Sequence, residues 1–301
     1  MDRFELLRQE LARRCPGLEV RTEEPMSRHT SFRIGGPATL MALPKTEEEA
    51  AAAVKAAAEL ELAPFFLGNG SNLLVPDEGY RGFLIKPAGE LDRIRAEDTC
   101  LTAGSAVTLA RLSNAALHHG LTGLEFAGGI PGSVGGAVTM NAGAYGGEMA
   151  QVVREVTCLT ADGELERVTN FGFAYRRSAF SDGTRMILSA RFQLEAGDPK
   201  AIRARMEELA LQRQSKQPLE YPSAGSMFKR PVGYFAAALI DQCGLKGLTV
   251  GGAQVSEKHA GFVVNRGGAT CADVLTLVEQ VKERVLAATG VELEMEVKIL
   301  R

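Results

Sequence analysis

Two glycine-rich segments constrain this chain more than any other feature of its 301 residues. The first, residues 68–75, follows an apolar run at residues 63–67, and the second covers residues 123–146. Small residues leave successive backbone N–H groups accessible, and they let a flat ring or a phosphate lie directly on the main chain. Tight turns or close strand packing explain one such loop equally well. Two in one domain favour a nucleotide-type cofactor.

The first segment does not match the dinucleotide fingerprint of a Rossmann fold. Leu73 stands where G-x-G-x-x-G requires its third glycine, and another apolar run follows where a helix would begin. The cofactor fold is therefore expected to be of another kind.

Hydrophobic periodicity predicts a mixed α+β chain. We expect helices at residues 2–14, 47–62, 108–119, 199–216, 234–243 and 270–289, and strands at 101–107, 261–265 and 293–300. Gly290 is expected to end the helix before it, and further strands flank a turn at Asp162-Gly163. The loop at residues 218–225 marks the expected start of a separate C-terminal domain.

Composition excludes several classes of function. With 34 basic and 37 acidic residues the net charge is −3, so no positive field is available to attract nucleic acid. Five scattered cysteines and four histidines without ligand spacing predict a reducing compartment and no metal site. The charged N-terminus and the absence of a long apolar stretch predict a cytoplasmic protein without a membrane partner.

Six ordered motifs then carry a family resemblance. They lie at residues 27–38, 68–75, 129–146, 173–176, 223–229 and 293–297. In this order they resemble the UDP-N-acetylenolpyruvoylglucosamine reductases, also called UDP-N-acetylmuramate dehydrogenases. The chain runs from a short charged helix expected at residues 175–176 into a strand near residues 186–192 without an inserted tyrosine loop, so it is similar to the shorter subtype.

The resemblance implies an FAD-binding fold of the vanillyl-alcohol oxidase type, with a C-terminal α/β substrate-binding domain. It implies an FAD domain at residues 1–200, with lobes at about 1–90 and 91–200, and a substrate domain at residues 201–301. It also implies that the glycine segments hold FAD, through Gly68, Asn69, Gly70, Ser71, Asn72, Leu73, Pro131, Gly132, Ser133, Gly136, Ala137, Asn141 and Gly143.

The same resemblance implies three catalytic residues for reduction of an enolpyruvyl ether. Arg176 would stabilise the enediolate-like dianion, with Arg177 as the less favoured candidate. Ser226, in a small-residue turn, would protonate the carbon that bears the carboxylate. Glu296 would orient the enol or assist protonation. Alternation alone does not separate it from Glu292 and Glu294, which share its predicted strand face.

Substrate contacts are implied for Tyr175, Lys216 and Lys229. The implied partners are UDP-N-acetylglucosamine enolpyruvate and NADPH, with NADH left open, and a monomer is expected. Two other classes remain as alternatives: an FAD-dependent oxidase or dehydrogenase of the same fold acting on an alcohol or lactone, and a non-catalytic nucleotide-binding module. Neither glycine segment contains the histidine to which such oxidases often attach their flavin.

Overall fold

The computed structural model describes residues 2–301, which form eight α-helices. These are α1 (Arg3–Arg14), α2 (Glu47–Glu59), α3 (Leu109–His118), α4 (Val134–Thr139), α5 (Met149–Val152), α6 (Pro199–Lys216), α7 (Ala236–Gln242) and α8 (Cys271–Thr289). Short 3-10 helices lie at Met26–Arg28, Gly89–Asp92 and Glu125–Ala127.

The strands are short and are spread over the whole chain. They are β1 (Glu19–Pro25), β2 (Pro37–Leu43), β3 (Phe65–Phe66), β4 (Leu73–Leu74), β5 (Tyr80–Ile85), β6 (Ile94–Glu97), β7 (Cys100–Gly104), β8 (Leu121–Thr122), β9 (Gly143–Ala144), β10 (Gly147–Glu148), β11 (Val153–Leu159), β12 (Leu165–Val168), β13 (Met186–Gln193), β14 (Glu195–Ala196), β15 (Ser223–Ser226), β16 (Thr249–Val250), β17 (Ala253–Val255), β18 (Phe262–Asn265) and β19 (Lys298–Ile299).

The chain forms two compact units, each assembled from separate stretches of sequence. The first contains residues 2–22, 39–69 and 82–212, and the second contains Glu23–Ala38, Gly70–Arg81 and Arg213–Arg301. Two early stretches thus belong to the same unit as the C-terminal residues. The boundary at residue 200 between an FAD-binding and a substrate-binding domain stays a prediction.

The first unit has two hydrophobic cores. One lies on an antiparallel sheet of order β12-β11-β13-β7-β6, against which α4 packs, and it includes the apolar side of α3. The other includes α1 and α2, where Leu7 and Leu11 are fully buried. Each buried leucine contributes about 1.5–3 kcal/mol, so these two residues hold α1 to the body. A sheet of order β1-β2-β5-β3, in which β3 is parallel to β5, completes this region.

The second unit is an antiparallel sheet of order β15-β18-β17-β16 that packs against α8. Thr270 and Asp273 form a capping box at the start of α8, and Gly290 ends it with a left-handed φ of 71°. The helix buries Val274, Leu277 and four other residues of its apolar side. Parallel pairing of β19 with β4 joins the C-terminus to the first glycine segment.

The six helices expected at residues 2–14, 47–62, 108–119, 199–216, 234–243 and 270–289 are confirmed, each within a few residues of its predicted ends. The strand expected at residues 293–300 is wrong for most of its length. Only Lys298–Ile299 forms a strand, and Met295 makes an isolated bridge to Phe228. Leu293, Val297 and Leu300 are buried at spacings of four and three rather than two. The segment bends because it pairs first with residues after β15 and then with β4.

Candidate active site

Part of the first glycine segment packs directly on the second. In the first unit, a Cβ atom on Gly68 would lie 2.5 Å from Ser133 Oγ and 3.9 Å from the Gly136 nitrogen. The structure therefore brings these three predicted cofactor residues together, and any side chain at position 68 would fill the space beside Ser133. A cavity of about 230 Å³ opens there, lined by Leu67, Gly68, Asn69, Lys86, Pro87, Ala88, Gly89, Asp92, Ala106 and Ser133.

The middle of the second glycine segment is bonded to residues 104–109, a stretch that sequence reasoning missed. Leu109 N donates to Gly132 O at 3.0 Å, and Gly135 N donates to Ser105 O at 3.0 Å. Ser105 and Ser133 are 3% and 1% exposed, and neither hydroxyl has a hydrogen-bond partner within residues 2–301. Buried hydroxyls are normally paired, so a bound polar ligand is the natural partner for both. The sequence placed Ser105 inside the strand expected at residues 101–107, whereas β7 ends at Gly104.

These features suit an FAD molecule. A close backbone approach at Gly68, buried hydroxyls without protein partners and an adjoining cavity are what a phosphate- and ring-bearing ligand requires. Two other predicted cofactor residues have different roles in the structure. A Cβ on Gly143 would meet Gly147 O at 2.6 Å, because Gly143 pairs with the next residue, Glu148, in the β9–β10 hairpin. Asn141 is 4% exposed and bonds to the protein through both ends of its amide.

The remaining predicted cofactor residues lie along the same two segments. Pro131 is exposed and Ala137 is buried in α4. In the second unit, Ser71 and Asn72 are half-buried, and Gly70 has a left-handed φ of 59°. Leu73, 7% exposed, pairs with Lys298.

Arg176 lies in a tight turn, and the expectation of a short helix at residues 175–176 is wrong. Ala174 and Arg177 exchange two backbone hydrogen bonds of 3.0 and 3.1 Å, which leaves Tyr175 and Arg176 as the two central residues. Arg176 has a φ of 56°, an unfavourable value for a residue other than glycine. Its side chain is half-buried, while Arg177 and Tyr175 are exposed. The burial favours Arg176 over Arg177 as the functional arginine.

A β-bulge determines where Ser226 points. Ser223 pairs with Val264 and Ser226 with Phe262, so Ala224 and Gly225 together oppose the single residue between those partners. Gly225 accommodates the extra residue with a φ of 79°. The small-residue turn expected here is thus a bulged strand, and bulges commonly re-aim a side chain at a functional site. Ser226 is exposed at the end of β15.

Backbone pairing in the second unit brings Glu296 beside Met227, the residue after Ser226. Glu296 N donates to Met227 O at 2.8 Å, and Lys229 N donates to Glu294 O at 2.8 Å. Glu296 is half-buried, whereas Glu292 and Glu294 are exposed. The Lys229 ammonium forms an ion pair with the Glu294 carboxylate. Glu294 therefore neutralises a lysine, and Glu296 is the glutamate nearest in register to the serine.

Lys216 and His259 have different surroundings. Lys216 is exposed at the last position of α6. His259 Nδ1 accepts a 3.1 Å hydrogen bond from Gly261 N, and its ring packs edge-on against Phe262. Burial lowers the pKa of His259, which keeps the ring neutral. The bonds that the structure shows for His259 are thus made within its own loop.

Neither a metal-binding cluster nor a membrane-spanning helix is found in residues 2–301. Residues 2–301 contain no cluster of three or more His, Cys, Asp or Glu side chains arranged to hold a metal ion. In the same residues, no helix has both the length and the apolar character needed to cross a membrane.

Two family models match the chain. An FAD binding domain matches residues 38–169, and the C-terminal domain of UDP-N-acetylenolpyruvoylglucosamine reductase matches residues 217–300. Together with the close approach of Gly68 to Ser133 and Gly136, these matches define an FAD-dependent oxidoreductase. The predicted fold class, an α+β FAD-binding domain of the vanillyl-alcohol oxidase type followed by an α/β domain, is confirmed, and so is FAD as the cofactor.

Full-length relatives identify the family. The chain is 50% identical over 299 residues to the UDP-N-acetylenolpyruvoylglucosamine reductase of Agathobacter rectalis, covering 95% of each protein. It is 48% identical over 285 residues to that of Latilactobacillus sakei, covering 94% of each. The crystal structure of the Thermus caldophilus reductase superposes with a TM-score of 0.81 at 37% identity, covering 94% of this chain and 99% of that one. The chain belongs to the UDP-N-acetylenolpyruvoylglucosamine reductase family.

Proposed function

We propose that this enzyme reduces UDP-N-acetylglucosamine enolpyruvate to UDP-N-acetylmuramate with electrons from NADPH, in the cytoplasm, as a step of peptidoglycan precursor synthesis. The observation that carries the proposal is the backbone pairing that sets Glu296 beside Met227, the residue after Ser226. The family membership supports this substrate. The pairing supports Ser226 as the proton donor and Glu296 as the carboxylate that acts near it.

Bound FAD would supply a hydride equivalent for the terminal carbon of the enolpyruvyl group, with electrons that come from the nicotinamide. Negative charge then develops on the substrate carboxylate, and the Arg176 guanidinium stabilises it with a pair of parallel N–H donors. The Ser226 hydroxyl donates its proton to the carbon that bears the carboxylate. Glu296 orients the substrate or assists this proton transfer.

The remaining contacts are divided between the two ligands. Residues 1–200 hold FAD, with Gly68, Ser133 and Gly136 against the cofactor and Ser105 as an added hydroxyl donor. Residues 201–301 hold the UDP-sugar, with Lys216 and Lys229 beside the diphosphate and Tyr175 contributing from the turn that contains Arg176. Lys229 would exchange its Glu294 partner for the diphosphate on binding, because one ammonium in that position faces two competing anions. The enzyme acts as a monomer.

A single-turnover experiment tests the proposal. The purified enzyme is reduced with NADPH in the absence of oxygen, the enolpyruvyl substrate is added, and the flavin absorbance is followed. Wild-type enzyme is expected to reoxidise rapidly. Ser226→Ala is expected to be reduced normally but to reoxidise at least about a hundredfold more slowly, a loss typical of removing a general acid. Ser223→Ala, the same substitution in the same strand, is expected to behave as wild type.

Other outcomes would support the rival classes. A protein without a flavin spectrum would favour a binding module. A reduced flavin that ignores the enolpyruvyl sugar and reacts quickly with oxygen would favour an oxidase of the same fold. Equal rates for Ser226→Ala and wild type would remove Ser226 from the mechanism.

A further inference from the structure

Three hydrogen bonds tie the Arg176 turn to the second glycine segment. The hydroxyl groups of Ser178 and Ser181 both donate to the carbonyl of Thr139, at 2.9 and 3.0 Å. The Asn141 amide nitrogen donates to the carbonyl of Ala174 at 3.3 Å. Thr139 is the last residue of α4, the helix that begins directly after Ser133. All of these groups belong to the first compact unit.

The turn is exposed at most of its residues and contains a strained one, so the buried hydrogen bonds beside it help to hold its shape. Ala174, Tyr175 and Arg177 are exposed, and Arg176 adopts a left-handed φ of 56°, which is unfavourable at a non-glycine residue. Ser178 and Asn141, by contrast, are each only 4% exposed. A strained conformation persists only where surrounding contacts enforce it. Here the buried anchors are Ser178, just after the strained residue in the sequence, and Asn141 on the glycine segment.

Asn141 is suited to this anchoring role by its own geometry. Its φ of 41° is also left-handed, a conformation that asparagine tolerates better than most residues. Its oxygen accepts a 2.9 Å bond from Ala150 N, and its nitrogen donates to Glu148 Oε2 at 3.2 Å as well as to Ala174. The amide thus joins the turn to the N-terminus of α5.

We propose that Ser178 and Asn141 are positioning residues that fix the Arg176 guanidinium relative to the flavin-binding segment. Neither side chain carries a charge or needs to touch the reacting atoms. They act by holding the turn, so their loss lowers the fraction of molecules in which the guanidinium is placed to stabilise developing charge. The inference rests on the role of Arg176 in the proposed function, and separate variants distinguish the two.

Ser178→Ala is the first test. It removes the hydroxyl that bonds to Thr139, and we expect the reoxidation of reduced flavin by the enolpyruvyl substrate to slow by about tenfold to a hundredfold, the penalty of a misplacement of about 1 Å. Flavin content and the rate of reduction by NADPH should stay within about twofold of wild type, because Ser178 lies outside the glycine segments. The control is Thr160→Val, which removes a hydroxyl that accepts a 3.2 Å bond from Glu164 N between β11 and β12.

Limited proteolysis gives a readout that does not depend on catalysis. Trypsin cleaves after Arg176 and Arg177, and a loosened turn presents both bonds to the protease. We expect cleavage at these positions, identified by mass spectrometry, to be at least about fivefold faster in Ser178→Ala than in wild type or Thr160→Val, since opening of a local segment controls cleavage. Unchanged cleavage together with unchanged reoxidation would overturn the inference.

A charge-swapped pair isolates the Asn141 bond to the turn. Asn141→Asp keeps the acceptor for Ala150 but cannot donate to Ala174 and faces the Glu148 carboxylate. Adding Glu148→Gln restores a donor to the 148–141 contact, so we expect the double variant to recover thermal stability while its reoxidation stays about tenfold slow. Recovery of both properties would show that the Ala174 bond does not position the turn.

The proposed function can fail separately from this inference. If Arg176→Lys reoxidises as fast as wild type, the assignment of Arg176 is wrong whatever the proteolysis shows. If Arg176→Lys is slow but Ser178→Ala behaves as wild type in both assays, the arginine is functional and the positioning inference is wrong.

Discussion

Replacing Gly70 by alanine should destabilise the second unit by far more than an ordinary glycine substitution. Two costs add at this position. The first is the φ of 59°, which costs about 1–2 kcal/mol for a residue with a Cβ atom. The second is steric, because that Cβ would lie 2.0 Å from the His29 carbonyl oxygen, well inside the ordinary contact range of 3.4–4 Å.

The steric cost cannot be relieved by a side-chain rotation. The atom in contact is backbone, and His29 is itself buried and held by a 2.8 Å contact with Glu24. The two stretches must separate by more than about 1 Å, and overpacking of this kind costs about 1–3 kcal/mol. We therefore expect Gly70→Ala to lower the free energy of unfolding by about 2–5 kcal/mol and to reduce the flavin content of the purified enzyme.

Gly290→Ala provides the matched control. Gly290 also has a left-handed φ, of 71°, but no atom lies within 4 Å of the place that a Cβ would take there. Its substitution should cost only the backbone term of about 1–2 kcal/mol. Urea unfolding of both variants, followed by far-UV circular dichroism, measures the difference. Equal losses for Gly70→Ala and Gly290→Ala would show that the close approach of residues 70 and 29 does not exist in solution.

Three further predictions concern single groups. The Asp77 carboxylate accepts bonds of 2.7 and 3.1 Å from the first two N–H groups of α8. Asp77→Ala should therefore lower the free energy of unfolding, measured in urea, by about 1–2 kcal/mol, and Asp77→Asn should lower it less. An unchanged free energy in Asp77→Ala would contradict the capping role. Burial lowers the pKa of His259, so the folded chain resists its protonation. The contribution of His259 to stability should be fully present above the pKa of about 6.5 in the unfolded chain, and it should be lost as the pH falls through the folded pKa. In His259→Gln the urea midpoint should therefore depend less on pH. An unchanged pH dependence of the midpoint would refute this prediction. Burial raises the pKa of Cys158 and Cys271 to about 11, so iodoacetamide should modify them, as judged by mass spectrometry, only after unfolding.

The sequence was sufficient for the helices because their signals are local. Thr270, Asp273 and Gly290 mark both ends of α8 within one stretch of chain, and the spacing of Leu7 and Leu11 defines the buried side of α1. The glycine segments likewise led to the prediction of a nucleotide-type cofactor, and FAD is confirmed as the cofactor. The family and its cofactor followed from the ordered motifs.

Residues 293–300 show where local patterns failed. Alternation predicted a strand with three equivalent glutamates, but the segment bends between two different pairing partners. That pairing separates Glu296, which lies beside Met227, from Glu294, which faces Lys229. No local pattern contains this information, because the Lys229–Glu294 partners are 65 residues apart in sequence.

The prediction of a short helix at residues 175–176 failed for the same reason. The turn is bonded to the second glycine segment, through Asn141 to Ala174 and through Ser178 to Thr139, and the short-range pattern around Arg176 does not contain these contacts. The sequence alone thus determined which residue types are available, where the longer helices lie and that FAD is the cofactor. Tertiary structure alone decided which arginine is half-buried, which glutamate lies beside the serine strand and which hydroxyls are left for a ligand, because burial and pairing depend on contacts between distant parts of the chain.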